Sequence, residues 1–161
     1  MREVVFWKAR SQHLHIIAAD AILSRVYEDT NLPHTRGMED VVFCLLKDGI
    51  VSSTLTLSLF DLHVFPSHPL ILKNIIKGYN SVHLVSKFAS DIRMCRSDFI
   101  LLNNALVMYC KERGIDLLLS GVTDKHAAPY VKLCKWDRLT KTLDFPEYGT
   151  RGVIIGLKIN V

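Results

Sequence analysis

The chain has 161 residues, is 49% hydrophobic, and carries a formal net charge of +4 at pH 7 with a mean hydropathy of +0.20. That length suits a single domain (residues 1–161) with a hydrophobic core of its own, and the apolar content excludes intrinsic disorder. The 20 Lys and Arg residues are dispersed rather than clustered, which excludes a nucleic-acid-binding face, and no apolar run approaches the ~20 residues of a membrane span.

Residues 1–15 lack the apolar stretch and small-residue cleavage site of a secretory signal. Cys44, Cys95, Cys110 and Cys134 are scattered, with no CxxC pair. Neither a zinc site nor a disulfide framework follows, so reduced thiols, no metal and a cytoplasmic location are expected.

Residues 1–8 read as a short edge strand. Over 12–28, Leu14, Ile17, Ala18, Ala21, Ile22 and Val26 recur at close to i, i+3, i+4 spacing, which predicts a helix. Pro33 and Gly37 mark the loop that follows. Residues 41–60 read as a β-hairpin, with two β-rich runs flanking Lys47-Asp48-Gly49. Pro66 and Pro69 break the next stretch, and 70–78 reads as a short helix.

Residues 82–138 carry most of the functional information. An apolar, β-branched strand (82–90) ends in a polar loop (91–98). A long apolar helix (99–113) is closed by Gly114, a second buried strand runs over 115–123, and a short helix over 124–136 returns the chain. Strand, helix and parallel strand form a βαβ unit whose first strand delivers a loop to a helix N-terminus, where an anionic cofactor arm can be held. Ser97 and Asp98 are the expected caps of that helix. Two closing strands, 139–145 and 151–161, complete the order. The expected fold class is α/β, a mixed sheet with helices on both faces.

This order and several short motifs resemble the GCN5-related N-acetyltransferase (GNAT) superfamily, and within it the branch of acyl-homoserine-lactone synthases and N-acyl amino acid synthases. SRVYED (24–29) is similar to that branch's Arg-x-Val-Phe/Tyr helix element. The Asp48-Gly49 hairpin sits where the branch has its glycine- and arginine-bearing strand. SKFAS followed by Asp91 resembles its Ser/Thr-Arg-Phe-x-Val-Asp motif. The match covers about residues 14–140. The departures are specific: Leu84 stands where the branch has Glu, Lys87 where it has Arg, Ser53 where it has glycine and Thr56 where it has another Arg. The glycine loop of acetyl-CoA enzymes is absent from 91–98.

The resemblance implies a GNAT-like, mostly antiparallel sheet with a splayed pair of central parallel strands. It further implies N-acyl transfer from a pantetheine thioester, on acyl carrier protein or acyl-CoA, to the amine of a small metabolite. Under it, a backbone N–H near Phe88, Ala89 or Ser90 would polarise the thioester carbonyl. Lys87, Arg93 and Arg96 would grip a phosphate or a carrier protein, and Arg25 would lie near the donor and acceptor pockets. Glu39, Asp40 and His83 are the available bases, and Tyr130 is the candidate donor for the departing thiolate. Each residue has a plainer alternative: solvated charge for the cations and acids, a strand histidine for His83, and sheet packing for Tyr130. Loss of polar groups at Leu84 and Thr56 equally fits a non-catalytic binding module, and an acetyl-CoA-dependent enzyme is the third reading.

Overall fold

The computed structural model describes residues 1–28, 30, 32, 35–91 and 93–160. Asp29, the last residue of the SRVYED motif, and the loop breaker Pro33 lie outside the described residues. The elements in chain order are β1 (Arg2–Lys8), α1 (Leu14–Tyr27), β2 (Val41–Lys47), β3 (Ile50–Leu59), α2 (Pro69–Ile76) and β4 (Val82–Ser90). They continue with α3 (Arg96–Arg113), β5 (Leu117–Val122), α4 (Asp124–Cys134), β6 (Asp137–Arg138), β7 (Leu143–Phe145) and β8 (Thr150–Lys158). This is a mixed α/β fold in which antiparallel pairing predominates. The chain forms two compact units, Met1–Ser58 with Val85–Leu106, and Leu59–Leu84 with Val107–Val161.

In the first unit the strands follow the order β1-β2-β3-β4. The β2–β3 hairpin turns on Asp48 (φ +51°) and Gly49 (φ +81°), both left-handed, the backbone that matches strand twist in a two-residue hairpin. Strand alternation then sorts the side chains of β2. Val42, Cys44 and Leu46 meet Ile16, Ala19, Ile22 and Leu23 of α1, together with Val51 and Ala89. Burying each of the large aliphatic residues contributes roughly 1.5–3 kcal/mol. On β4, Ala89 joins this cluster, whereas the Phe88 ring stacks on Phe99 of α3 at 5.7 Å. Helices therefore cover both faces of this part of the sheet. His13 caps α1, its Nδ1 accepting from the His15 N–H at 3.1 Å, and the Trp7 ring stacks on His13 at 3.7 Å.

The helix expected over 99–113 begins three residues earlier, at Arg96. Asp98 is its third residue, and Oδ2 reaches back to accept from the Cys95 N–H at 3.2 Å, one half of a capping box. Asp98 thus caps the helix from inside its first turn.

In the second unit the order is β4-β5-β8-β6, with β7 also on β8. Val82, His83 and Leu84 pair in parallel with Leu117, Leu118 and Leu119, the crossover expected of a βαβ unit. β8 runs antiparallel to β5 from Leu117↔Lys158 to Val122↔Val153. Phe65, Leu72, Leu84, Leu117, Leu119, Leu143, Phe145 and Ile154 form the core. The strand expected over 139–145 is cut to Leu143–Phe145 because side chains capture its first half. Thr140 Oγ1 accepts from the Ile154 N–H at 3.1 Å, and Thr142 Oγ1 donates to Asp124 Oδ2 at 2.9 Å. No helix among the described residues is long and apolar enough to cross a membrane.

Candidate functional site

β4 leaves regular strand geometry at Lys87, whose φ of +53° is left-handed in a residue that carries a side chain. Such a residue interrupts the ladder as a bulge does and re-aims the groups around it. The Phe88 carbonyl accepts from the Tyr27 hydroxyl at 3.1 Å, tying the end of α1 to this stretch. Burial pushes the Tyr27 phenol up to about 12, so the hydroxyl remains a donor across the physiological range.

Arg36, in the segment leading to β2, is folded inward with its side chain only 6% exposed. Its Nε donates to Thr56 Oγ1 at 2.9 Å, and Nη1 pairs with Asp20 of α1. Nη2 is buried with no hydrogen-bond partner among the described residues. Asp40 Oδ2 accepts from the Gly37 N–H at 2.9 Å, and the Asp40 carbonyl accepts from Ala9 N–H at 2.8 Å. Burial lowers the Arg36 pKa, with Cys44 and Asp40 acting in the opposite direction. Burial also lowers that of Lys87; Asp40 opposes the shift and Arg36 adds to it. Arg36, Asp40 and Lys87 therefore form one electrostatic group. Arg36 also lines a cavity of about 430 Å³ bounded by Ile16, Asp20, Leu23, Ser24 and Met38.

The remaining candidates from the sequence fall around this group or apart from it. Glu39 is exposed and bonded to Lys8 (3.3 Å) and Arg10 (3.0 Å), so its carboxylate is already engaged. Arg25 pairs with Asp91. Ala89 is buried in the core, and Ser90 Oγ lies 3.1 Å from Ser53 Oγ. Arg93 and Arg96 are exposed, flanking the start of α3. His83 and Tyr130 belong to the second unit. His83 points to the opposite face of β4 from Leu84, which is packed in that unit's core. Tyr130 is buried, with its ring edge-on to Trp136 at 5.5 Å, a packing position.

Sequence reasoning missed Arg36. It lies in a segment read as plain loop, and its partners Asp20 and Thr56 are 16 and 20 residues away. No local spacing announces that contact. Position 56, where the resembling branch carries an Arg, holds a buried Thr whose hydroxyl is bonded to a guanidinium from another segment. No group of three or more His, Cys, Asp or Glu side chains among the described residues could hold a metal. Arg36 and Lys87 are cations of this group, and Arg93 and Arg96 are exposed cations near the start of α3.

No protein-family model matches the sequence, and no curated protein matches it at a significant level. Solved structures do. FeeM, an N-acyl amino acid synthase from uncultured soil microbes, is 15% identical with a TM-score of 0.76, over 99% of this chain and 91% of that one. BjaI, a CoA-dependent acyl-homoserine lactone synthase, is 11% identical with a TM-score of 0.69, over 99% and 84%. An N-acetyltransferase from Staphylococcus aureus Mu50 is 13% identical with a TM-score of 0.62, over 98% and 99%. At these identities the likeness establishes the fold, which is that of the GNAT enzymes.

Proposed function

We propose that the chain is an N-acyltransferase that moves an acyl group from a pantetheine thioester to the amine of a small metabolite. The observation that carries this reading is the left-handed Lys87 within β4, in a fold shared along its length with acyl-transferring enzymes. On this reading the peptide groups from Lys87 to Ser90, other than the Phe88 carbonyl that Tyr27 already holds, are the ones that meet the ligand. In the proposed reaction the thioester carbonyl accepts a hydrogen bond from one of these N–H groups, which stabilises the oxyanion formed when the amine attacks. The C–N bond forms as the C–S bond breaks, and the thiolate leaves with the pantetheine arm. Asp40 is the proposed base for the amine proton, since Glu39 is held by Lys8 and Arg10. Exposed Arg93 and Arg96 are suited to the donor's phosphate or to an acidic carrier-protein surface.

The test is mass spectrometry of small-molecule products after incubation with acyl-loaded carrier protein, or with acyl-CoA, and a pool of amines and amino acids. An N-acyl product that falls at least tenfold in an Arg93→Ala, Arg96→Ala double variant is the expected result. Product formed equally by the double variant removes the anion-gripping role. A second reading, a binding module without turnover, is favoured by Leu84 lying in the core where the resembling branch carries Glu. Donor binding without product in any amine pool establishes it instead.

A further inference from the structure

The Arg36 guanidinium is a buried cation that uses only part of its fork. Nε is fixed by Thr56, a hydroxyl wholly inside the sheet, and this sets the plane of the group. Nη1 is met by one oxygen of Asp20, and Nη2 by nothing among the described residues. A buried donor without an acceptor is destabilising, the more so when charged, so the arrangement is incomplete as it stands. The two members of the ion pair differ in burial. Asp20 is 54% exposed and Arg36 only 6%. The acid can return to water at little expense, whereas the base cannot.

We propose that Arg36 is the carboxylate-binding residue of the α1-lined cavity, and that an incoming carboxylate displaces Asp20 to bond end-on to Nη1 and Nη2 together. The exchange replaces a one-armed pair with a bidentate one, the stronger geometry for guanidinium and carboxylate. It replaces one monoanion with another, so the charge beside Arg36 is unchanged. A phosphate dianion would add a second negative charge next to Asp40, which disfavours it. Ile16, Leu23 and Met38 supply apolar wall for the remainder of the ligand. The proposal rests on the acyl-transfer reading in one respect: the ligand is the amine acceptor, and its carboxylate is a second recognition group that selects amino acids over simple amines.

Calorimetry tests this without turnover, using the free amino acids and, for each one that binds, its amide and its decarboxylated amine. The expected result is at least tenfold tighter binding of the acid than of either analogue. Arg36→Met abolishes that preference. Arg36→Lys, which retains charge without the fork, weakens it and serves if the Met variant does not fold. Asp20→Asn, which removes only the displaced group, retains it. Equal binding of acid and amide, no binding of any amino acid, a preference that survives in Arg36→Met, or its loss in Asp20→Asn would each overturn the proposal. The two readings separate cleanly. A carboxylate preference without N-acyl product sinks the reaction and leaves the site standing. N-acyl product with equal kcat/KM for acid and amide does the reverse.

Discussion

Lys47 Nζ lies 2.9 Å from Oδ2 of Asp98, joining the end of β2 to the first turn of α3 across 51 residues. Arg2 bonds the other carboxylate oxygen at 2.5 Å, and the Asp98 side chain is wholly inaccessible. Burial alone would raise its pKa, but the bonds from Lys47, Arg2 and Cys95 outweigh that and hold it well below the unperturbed 3.8. Asp98→Ala leaves two cations facing an empty site and removes a helix cap, and the expected loss is roughly 3 kcal/mol in urea unfolding.

The same depressed pKa sets a pH signature. A carboxylate whose folded value lies below its unfolded value contributes stability that is complete above 3.8 and lost as pH falls through the folded value. The stability gap between the parent chain and Asp98→Ala should therefore be flat from pH 5 to 8 and close below about pH 4. A gap that stays constant into stronger acid would show that packing, not charge, carries the loss.

Thiol labelling should distinguish the four cysteines. Burial pushes Cys44 and Cys134 up to about 11 and Cys110 up to about 12. Cys95 is exposed, and its pKa is lowered by the Ser97 hydroxyl and a bond involving the Asp98 backbone. A thiol-specific reagent is expected to modify Cys95 rapidly in the folded chain and the other three only on unfolding, since the thiolate is the reactive form. Fast reaction of two or more thiols in native buffer would contradict the placement.

Lys87 combines left-handed backbone with a partly buried charge. Lys87→Met removes the charge and should raise Tm at pH 7. Its advantage should shrink as pH climbs toward 10.5, because the parent gains stability as the lysine loses its proton above its lowered folded pKa. Lys87→Gly also relieves the left-handed backbone and should add about 1 kcal/mol further. If Lys87 grips the donor, both variants lose activity while gaining stability, a trade seen where strain serves function. Thermal melts and product assays on the two variants together check this.

Two glycines should respond very differently to alanine. A Cβ at Gly152 would lie 2.5 Å from the Val122 carbonyl oxygen, a backbone atom that cannot move aside. Gly49 has nothing within 4 Å, and only its φ of +81° resists a side chain. Gly152→Ala is expected to cost about 3 kcal/mol and Gly49→Ala about 1 kcal/mol, read from denaturant midpoints.

The sequence announces those parts of the fold that depend on near neighbours. Asp48-Gly49 marks the hairpin because two adjacent residues must adopt left-handed backbone. The 82–138 βαβ unit is legible because a β-branched strand, an apolar helix and a second apolar strand follow one another without interruption. The start of α3 is misjudged because Cys95, Arg96 and Ser97 look like loop until Asp98 is seen to reach back and cap the turn. The 139–145 strand is overextended because Thr140 and Thr142 favour strands locally, yet their hydroxyls bind partners 14 and 18 residues away. At the site, Lys87 is legible as a charge within a strand and Asp40 as one beside a strand. Arg36 is not, since burial by α1 and β3, rather than its own neighbours, makes it distinctive.

The Tyr27–Phe88 hydrogen bond has a mechanical consequence. Ile16, Asp20, Leu23 and Ser24, which border the cavity, and Tyr27, which holds the Phe88 carbonyl, are all on α1. A helix of 14 residues moves as a near-rigid rod. Filling the cavity and aligning the peptide after Phe88 would therefore both act on one helix. If occupancy at one end biased the other, linkage would make that bias reciprocal. Under the proposed chemistry, acceptor and donor would sense one another through α1 without touching, and a shortened phenol, Tyr27→Phe, would uncouple them.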